Sequence, residues 1–173
     1  MQLQEELRFE LETQKLNFWC WASVSSGVRN YIASSTGTKI TQCDVAKLVF
    51  PGAKDCTDTA VVDHPTDLIP PLRTVVDQLG WSLIVKMGTP PLTFDEIRSE
   101  IDLGHPIAGH ILWLGGSGHY LVICGYRESD SGLRQLIISD PLFPDALVDF
   151  EDFCTNYQSE GTWDQAVVLE RKS

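Results

Sequence analysis

Basic residues are scarce in this chain. Thirteen Lys and Arg stand against 24 Asp and Glu over 173 residues, a formal net charge of -11. They gather into no stretch able to neutralise phosphates, so neither nucleic acid nor an anionic membrane surface is an expected partner. No apolar run approaches the roughly 20 residues of a bilayer-spanning helix. The stretch from Met1 to Glu12 carries two Glu before its first basic residue, Arg8, and has no apolar core of the kind a secretory signal needs. Internal repeats, low-complexity tracts and Gly/Ser or Pro-rich linkers are all missing, and the expectation is one domain spanning residues 1–173. The five cysteines, at positions 20, 43, 56, 124 and 154, are odd in number and irregularly spaced. That predicts reduced thiols rather than a disulfide framework. A zinc site built from Cys20, Cys43 or Cys56 with a histidine is disfavoured too, because the close-spaced Cys or His pairs of such sites are missing.

A 43% hydrophobic content with five Trp, by contrast, is enough apolar surface to drive folding. The Arg8-Phe9-Glu10-Leu11 alternation predicts a short strand. From Cys20 the period changes: Trp21, Val24, Val28, Tyr31 and Ile32 fall on one helical face, and Ser34-Ser35-Thr36-Gly37 ends it. Further helices are predicted over Thr41–Phe50, with Thr41 as N-cap and Pro51-Gly52 as the stop, and over Pro71–Leu79 before Gly80. Thr93-Phe94-Asp95-Glu96 has the capping-box pattern and opens a helix to about Leu103. The second half differs in kind: Trp81–Val85, Ile107–Leu114, His119–Tyr126, Leu133–Ser139 and Gln165–Leu169 read as strands of a largely antiparallel sheet. The expected class is α+β, an N-terminal helical layer packed on a C-terminal antiparallel sheet.

The chemistry concentrates at three places. Cys20 opens a strongly patterned helix, where aligned backbone dipoles and unpaired N–H groups favour a thiolate. A thiolate nucleophile needs a base, and the base an orienting partner. Of four histidines, His64 and His105 lie in Pro-adjacent loops and His110 lies inside a strand, whereas His119 follows the turn Gly115-Gly116-Ser117-Gly118 and opens an apolar strand. The next strand ends in Asp140-Pro141. If Tyr126 pairs with Leu133 across the intervening turn, His119 stands directly opposite Asp140, where a carboxylate can hold one ring nitrogen and aim the other. That reading depends on register, because a one-residue slip moves the two to opposite faces. Gln14, six positions before Cys20, supplies an amide that can donate to an oxyanion together with the Cys20 backbone N–H. The other four cysteines read as packing residues.

These motifs resemble a family. Gln-x5-Cys-Trp at a helix start, Gly-His-Tyr-Leu-Val-Ile-Cys-Gly-Tyr on a strand and then Ser-Asp-Pro resemble the papain-like (clan CA) cysteine peptidases. Asn17-Phe18-Trp19-Cys20-Trp21-Ala22-Ser23 is most similar to the bacterial AvrRpt2-type effector peptidases, and Gln42-Cys43-Asp44-Val45-Ala46 is similar to the helix that follows. The C39-like peptidases share the His strand and the Asp-Pro ending. The resemblance covers about Gln14 to Pro141. It implies a papain-like fold, Cys20 as nucleophile, His119 as base, Asp140 as orienting acid and Gln14 as oxyanion-hole amide. It also implies a protein or peptide substrate, a monomer and no cofactor. Two aromatics, Phe18-Trp19, precede the cysteine where the family has one, and Ser23 replaces a usual Ala. A cytoplasmic location is expected, with delivery as a secreted effector the alternative. Two other functions suit the same fold: deamidation or transglutaminase-like acyl transfer, and a non-catalytic binding module.

Overall fold

The computed structural model describes residues 3–33, 37–53 and 55–172. In chain order the elements are β1 (Leu3–Glu6), α1 (Cys20–Ile32), α2 (Gln42–Val49), α3 (Thr59–Val62), α4 (Ile69–Asp77), β2 (Trp81–Met87), α5 (Phe94–Asp102), β3 (Ile107–Trp113), β4 (Gly118–Glu128), β5 (Arg134–Ser139), β6 (Ala146–Asp149), α6 (Phe150–Thr155) and β7 (Gly161–Arg171). The seven strands form one antiparallel sheet in the order β2-β7-β3-β4-β5-β6. β1 pairs with the far half of β4, Leu3 opposite Glu128 and Glu6 opposite Gly125, beyond the stretch that β3 covers. The class is α+β, as the order of patterns predicts.

Alternation along the strands sends side chains to two faces. Leu121, Ile123, Ala166 and Val168 join one core with Phe94, Ile97, Ile101 and Phe153 from α5 and α6. Val122, Cys124, Val167 and Leu169 join the other with Trp21, Val24, Val28, Val45, Leu72 and Val76 from α1, α2 and α4. Helices therefore cover both faces, where the sequence suggested one helical layer.

α1 is the central helix, buried from Cys20 through Val28. The N-terminal segment lies so close along it that a Cβ on Gly27 would come within 2.7 Å of the Leu11 side chain. The predicted capping box is present at α5, Thr93 with Glu96, and the predicted N-cap Thr41 opens α2 as part of a further box with Asp44. Each satisfies a backbone N–H that the first helical turn leaves unpaired.

Several expectations need correction. Residues 8–11 are not a strand; β1 lies upstream, at residues too short and too exposed to carry an apolar pattern. The proposed stop at Ser34-Ser35-Thr36 lies outside the described residues. The short elements α3, β6 and α6 have too few residues to show a period. Cys43 and Cys56, expected as thiols, form a disulfide that joins α2 to the loop before α3 and leaves Cys20, Cys124 and Cys154 free. Thirteen residues apart in sequence, the pair carries no spacing signal that distinguishes it from two packing cysteines.

Candidate active site

Cys20 is the first residue of α1 and is 9% exposed. The loop that delivers it is clamped by the segment around α3. The Phe18 backbone N–H donates to Asp63 Oδ1 at 2.9 Å, and the indoles of Trp19 and Trp21 donate to the Val62 and His64 carbonyls at 2.8 and 3.2 Å. The paired aromatics before the cysteine thus have a structural use: Trp19 is a buried anchor, while Phe18 stays 48% exposed.

His119 is the second residue of β4 and is 3% exposed. Its Nε2 lies 2.8 Å from Asp140 Oδ1, which leaves Nδ1 for a partner on the other side, and Cys20 is near enough to act on the ring electrostatically. Trp113 stacks on the imidazole at 5.9 Å between centroids, and Phe143 meets it edge-on at 6.4 Å. Burial pulls the imidazole pKa down, but hydrogen bonds and charge attraction from Asp140 and Cys20 outweigh it and raise the pKa to about 9. The ring is therefore protonated at neutral pH.

Asp140 has a fully buried side chain. Its Oδ1 also accepts the backbone N–H groups of Leu142 and Phe143 at 2.8 and 3.2 Å, and its Oδ2 accepts the Tyr157 hydroxyl at 2.7 Å. Burial opposes its ionisation, yet the His119 ring and these donors hold the carboxyl below its ordinary value.

The register that brings the two together differs from the expected one. Tyr126 pairs with Leu136, not Leu133, and a bulge between Ile123 and Gly125 shifts the pairing to Val122 opposite Ser139. Asp140 then comes level with Leu121, and it meets His119 diagonally along the same face rather than directly across. Diagonal neighbours on one face remain within reach of long side chains.

Gln14 is drawn to the same corner, since its backbone N–H donates to the Pro141 carbonyl at 2.9 Å. Its amide is turned toward the loop before α1: Nε2 donates to the Leu16 and Asn17 carbonyls at 3.0 and 2.7 Å, and Oε1 is buried with no partner among the described residues. Gln42, fully buried at the start of α2, braces the strand of chain on either side of Gln14. Its Oε1 accepts from Lys15 N at 3.1 Å and its Nε2 donates to the Thr13 carbonyl at 2.9 Å. Sequence reasoning passed over Gln42 and Tyr157; a polar residue beside a helix cap, or a tyrosine in a loop, is too common to signal a site.

The remaining histidines are accounted for. His64 contacts the Ala60 carbonyl, and His105 pairs with Glu100. His110 has its own acid, Asp164, 2.6 Å from Nδ1. It sits opposite Tyr120 in the β3–β4 ladder, so it projects from the face opposite to that of His119. Gly118 is what lets this ring fit, since a Cβ there would come within 2.1 Å of His110 Nε2. A separate cavity of about 430 Å³, between the N-terminal segment and α1, is lined by Glu10, Ser26, Asn30 and Lys39 among others and touches none of the four candidate residues. Among the described residues no group of His, Cys, Asp and Glu is arranged to hold a metal, and no helix is long and apolar enough to cross a membrane.

Comparison with known proteins gives one broad match. The family model described as papain-like cysteine protease AvrRpt2 matches residues 1–158. No curated protein sequence matches the chain. Among solved structures, the Pseudomonas avirulence protein AvrPphB is similar at 10% identity and a TM-score of 0.37, with 94% of this chain and 97% of that one covered.

Proposed function

The chain belongs to the AvrRpt2 family of papain-like cysteine proteases, and on that premise we propose that it cleaves peptide bonds in protein substrates through a Cys20–His119–Asp140 triad, with Gln14 and the Cys20 backbone N–H as oxyanion donors. The observation that carries the reading is the 2.8 Å bond from His119 Nε2 to Asp140, with Cys20 close enough to act electrostatically on the same ring. An imidazole held at one nitrogen by a buried carboxylate presents the other in a fixed direction.

The chemistry runs as two acyl transfers. The Cys20 thiolate, at the N-terminus of α1 and beside the His119 ring, attacks the scissile carbonyl carbon and forms a C–S bond. The carbonyl oxygen takes the electron pair and is held by the two donors. As the tetrahedral centre collapses, the C–N bond breaks and His119 gives its proton to the leaving amine. Neutral His119 then takes a proton from water, which attacks the thioester. The C–S bond breaks, releasing the acid and restoring the thiolate–imidazolium pair. None of these steps calls for a metal or cofactor. Gln14 needs one amide hydrogen aimed at the oxyanion, so its present bonds to Leu16 and Asn17 carbonyls would be shared or exchanged when substrate enters.

The test is incubation with a proteome-derived peptide library, reading new termini by mass spectrometry, alongside Cys20→Ala. New termini that disappear in the variant support hydrolysis of peptide bonds. Ammonia release or amine incorporation with no new terminus would move the assignment to deamidation or transglutaminase-like transfer.

A further inference from the structure

Asp140 is held from a direction the catalytic motif does not include. The Tyr157 hydroxyl, on the turn that links α6 to β7, donates to Asp140 Oδ2 at 2.7 Å, while Oδ1 is occupied by His119 and two backbone N–H groups. Tyr157 is 1% exposed. Trp113 stacks with both residues, 6.2 Å from the Tyr157 ring at 24° and 5.9 Å from the His119 ring at 26°. The indole is thus near-parallel to both the imidazole and the phenol, and Asp140 is bonded to each of those two side chains.

The turn around Tyr157 is shaped to deliver it. Gln158 and Ser159, neither of them glycine, both adopt left-handed backbone, with φ of 51° and 67°. Such a pair persists only where its surroundings fix it. Here Tyr157 N donates to the Gly161 carbonyl at 2.9 Å and Gly161 N returns to the Tyr157 carbonyl at 2.8 Å, while Leu114 N, past the end of β3, reaches the Glu160 carbonyl at 3.1 Å. Gly161 must lack a side chain, since a Cβ there would come within 2.8 Å of the Trp113 ring.

We infer that Tyr157 is a positioning residue for the peptidase: by donating to Asp140 Oδ2 it fixes the carboxylate plane so that Oδ1 addresses His119. The inference rests on the proposed catalytic triad. It gives the α6–β7 turn a role that its sequence does not advertise. The titratable groups that face Asp140 are His119 from β4 and Tyr157 itself, with Asp145 acting on the phenol and Cys20 acting on His119. The Tyr157 donor is one of the influences that keep the Asp140 carboxyl low, and burial together with Asp140 pushes the phenol up. At working pH the donor is thus protonated and its acceptor charged.

The experiment follows the rate of Cys20 alkylation by iodoacetamide against pH, together with kcat and KM on a cleaved peptide. A correctly presented Asp140 carboxylate favours the imidazolium that partners the Cys20 thiolate, so loosening the carboxylate weakens that pair. Tyr157→Phe keeps the ring and removes the donor, so the acid limb of alkylation is expected to rise by about one pH unit, the worth of one hydrogen bond to a charged group. kcat should fall about tenfold with KM unchanged, the pattern for an interaction made only in the transition state. Phe153→Leu, which disturbs the Tyr157 ring but not its hydroxyl, should lower thermal stability without moving the limb. Placing 3-fluorotyrosine at position 157, a stronger donor of nearly the same size, should move the limb the opposite way, and this arm decides if Tyr157→Phe does not fold. A folded Tyr157→Phe with the wild-type limb, or an unmoved limb with 3-fluorotyrosine, overturns the inference. A shifted limb in a protein that cleaves no peptide supports the role of Tyr157 and sinks the peptidase reading instead.

Discussion

His119 and Asp140 meet diagonally across the β4–β5 hairpin, Nε2 to Oδ1 at 2.8 Å, because a bulge at Cys124 changes the register halfway along β4. Continued without the bulge, the pairing of Tyr126 with Leu136 would bring Asp140 level with Val122, on the face opposite His119. One extra residue is what sets the imidazole and the carboxylate on the same side of the sheet.

That pair makes the orienting acid testable. Asp140→Ala is expected to cut kcat/KM on the order of 100-fold, a share of what a well-placed general base contributes, while Cys20 keeps part of its reactivity from the helix terminus. Asp140→Asn should be milder, because an amide oxygen still accepts from the ring N–H. His110→Ala is the control: its Asp164 pair is half-buried on the other face, and its loss should cost about 1 kcal/mol of stability and spare turnover. Inactive but folded His110→Ala beside active His119→Ala would reverse the assignment.

Cys20 should be the fast-reacting thiol. Burial, with nearby carboxylates, pushes Cys124 and Cys154 up to about 12, and Cys43 and Cys56 are joined. Limiting iodoacetamide at pH 6 followed by peptide mapping under non-reducing conditions reads both claims at once. Early label on Cys124 or Cys154 would contradict the first, and free thiols at Cys43 and Cys56 the second. Cys43→Ser with Cys56→Ser should lower stability by about 3 kcal/mol, the value for a loop near this length.

The pH profile follows from the sign of the His119 shift. A ring whose pKa is raised to about 9 stays protonated through neutral pH and loses its proton as pH rises through that value. Activity should therefore fall on the alkaline side near pH 9, since neutral His119 has no proton for the leaving amine. By the same linkage, the stability that His119 protonation contributes is complete below about 6.5 and lost as pH climbs through about 9. Urea melts of wild type and His119→Gln across pH 6 to 10 should converge toward the alkaline end; a constant gap would contradict the shift.

For Gln14 two roles separate cleanly. As an oxyanion donor it should cost on the order of 100-fold in kcat when replaced by Ala, with Cys20 alkylation unchanged. As a loop brace alone, through the Leu16 and Asn17 carbonyls, its loss should slow alkylation and turnover together. Gln42→Ala, which removes the brace on either side of Gln14, gives the second pattern for comparison.

The sequence by itself determined the elements with enough residues to show a period, and the positions where chemistry-bearing side chains gather. α1 was visible because Trp21, Val24 and Val28 repeat at helical spacing, the start of α5 because Thr93 sits three residues before Glu96, and the start of α2 because Thr41 is an N-cap residue. Cys20, His119 and Asp140 stood out because each falls at the end of such an element. What the chain could not reveal is what depends on partners distant in sequence. Gly125 is the one local hint of a bulge in the run from Ile123 to Gly125, and a lone strand glycine does not say which pairing shifts; the bulge arises where β4 passes from β3 to β1 on one side while β5 stays paired on the other. The acid beside His110 comes from position 164, the donor to Asp140 from 157, and the brace on Gln14 from 42. The Cys43–Cys56 bond likewise depends on how α2 lies against the loop before α3. Periodicity is a property of neighbours along the chain, so it reports elements; the site is made of contacts between elements, and only their packing selects which polar groups meet.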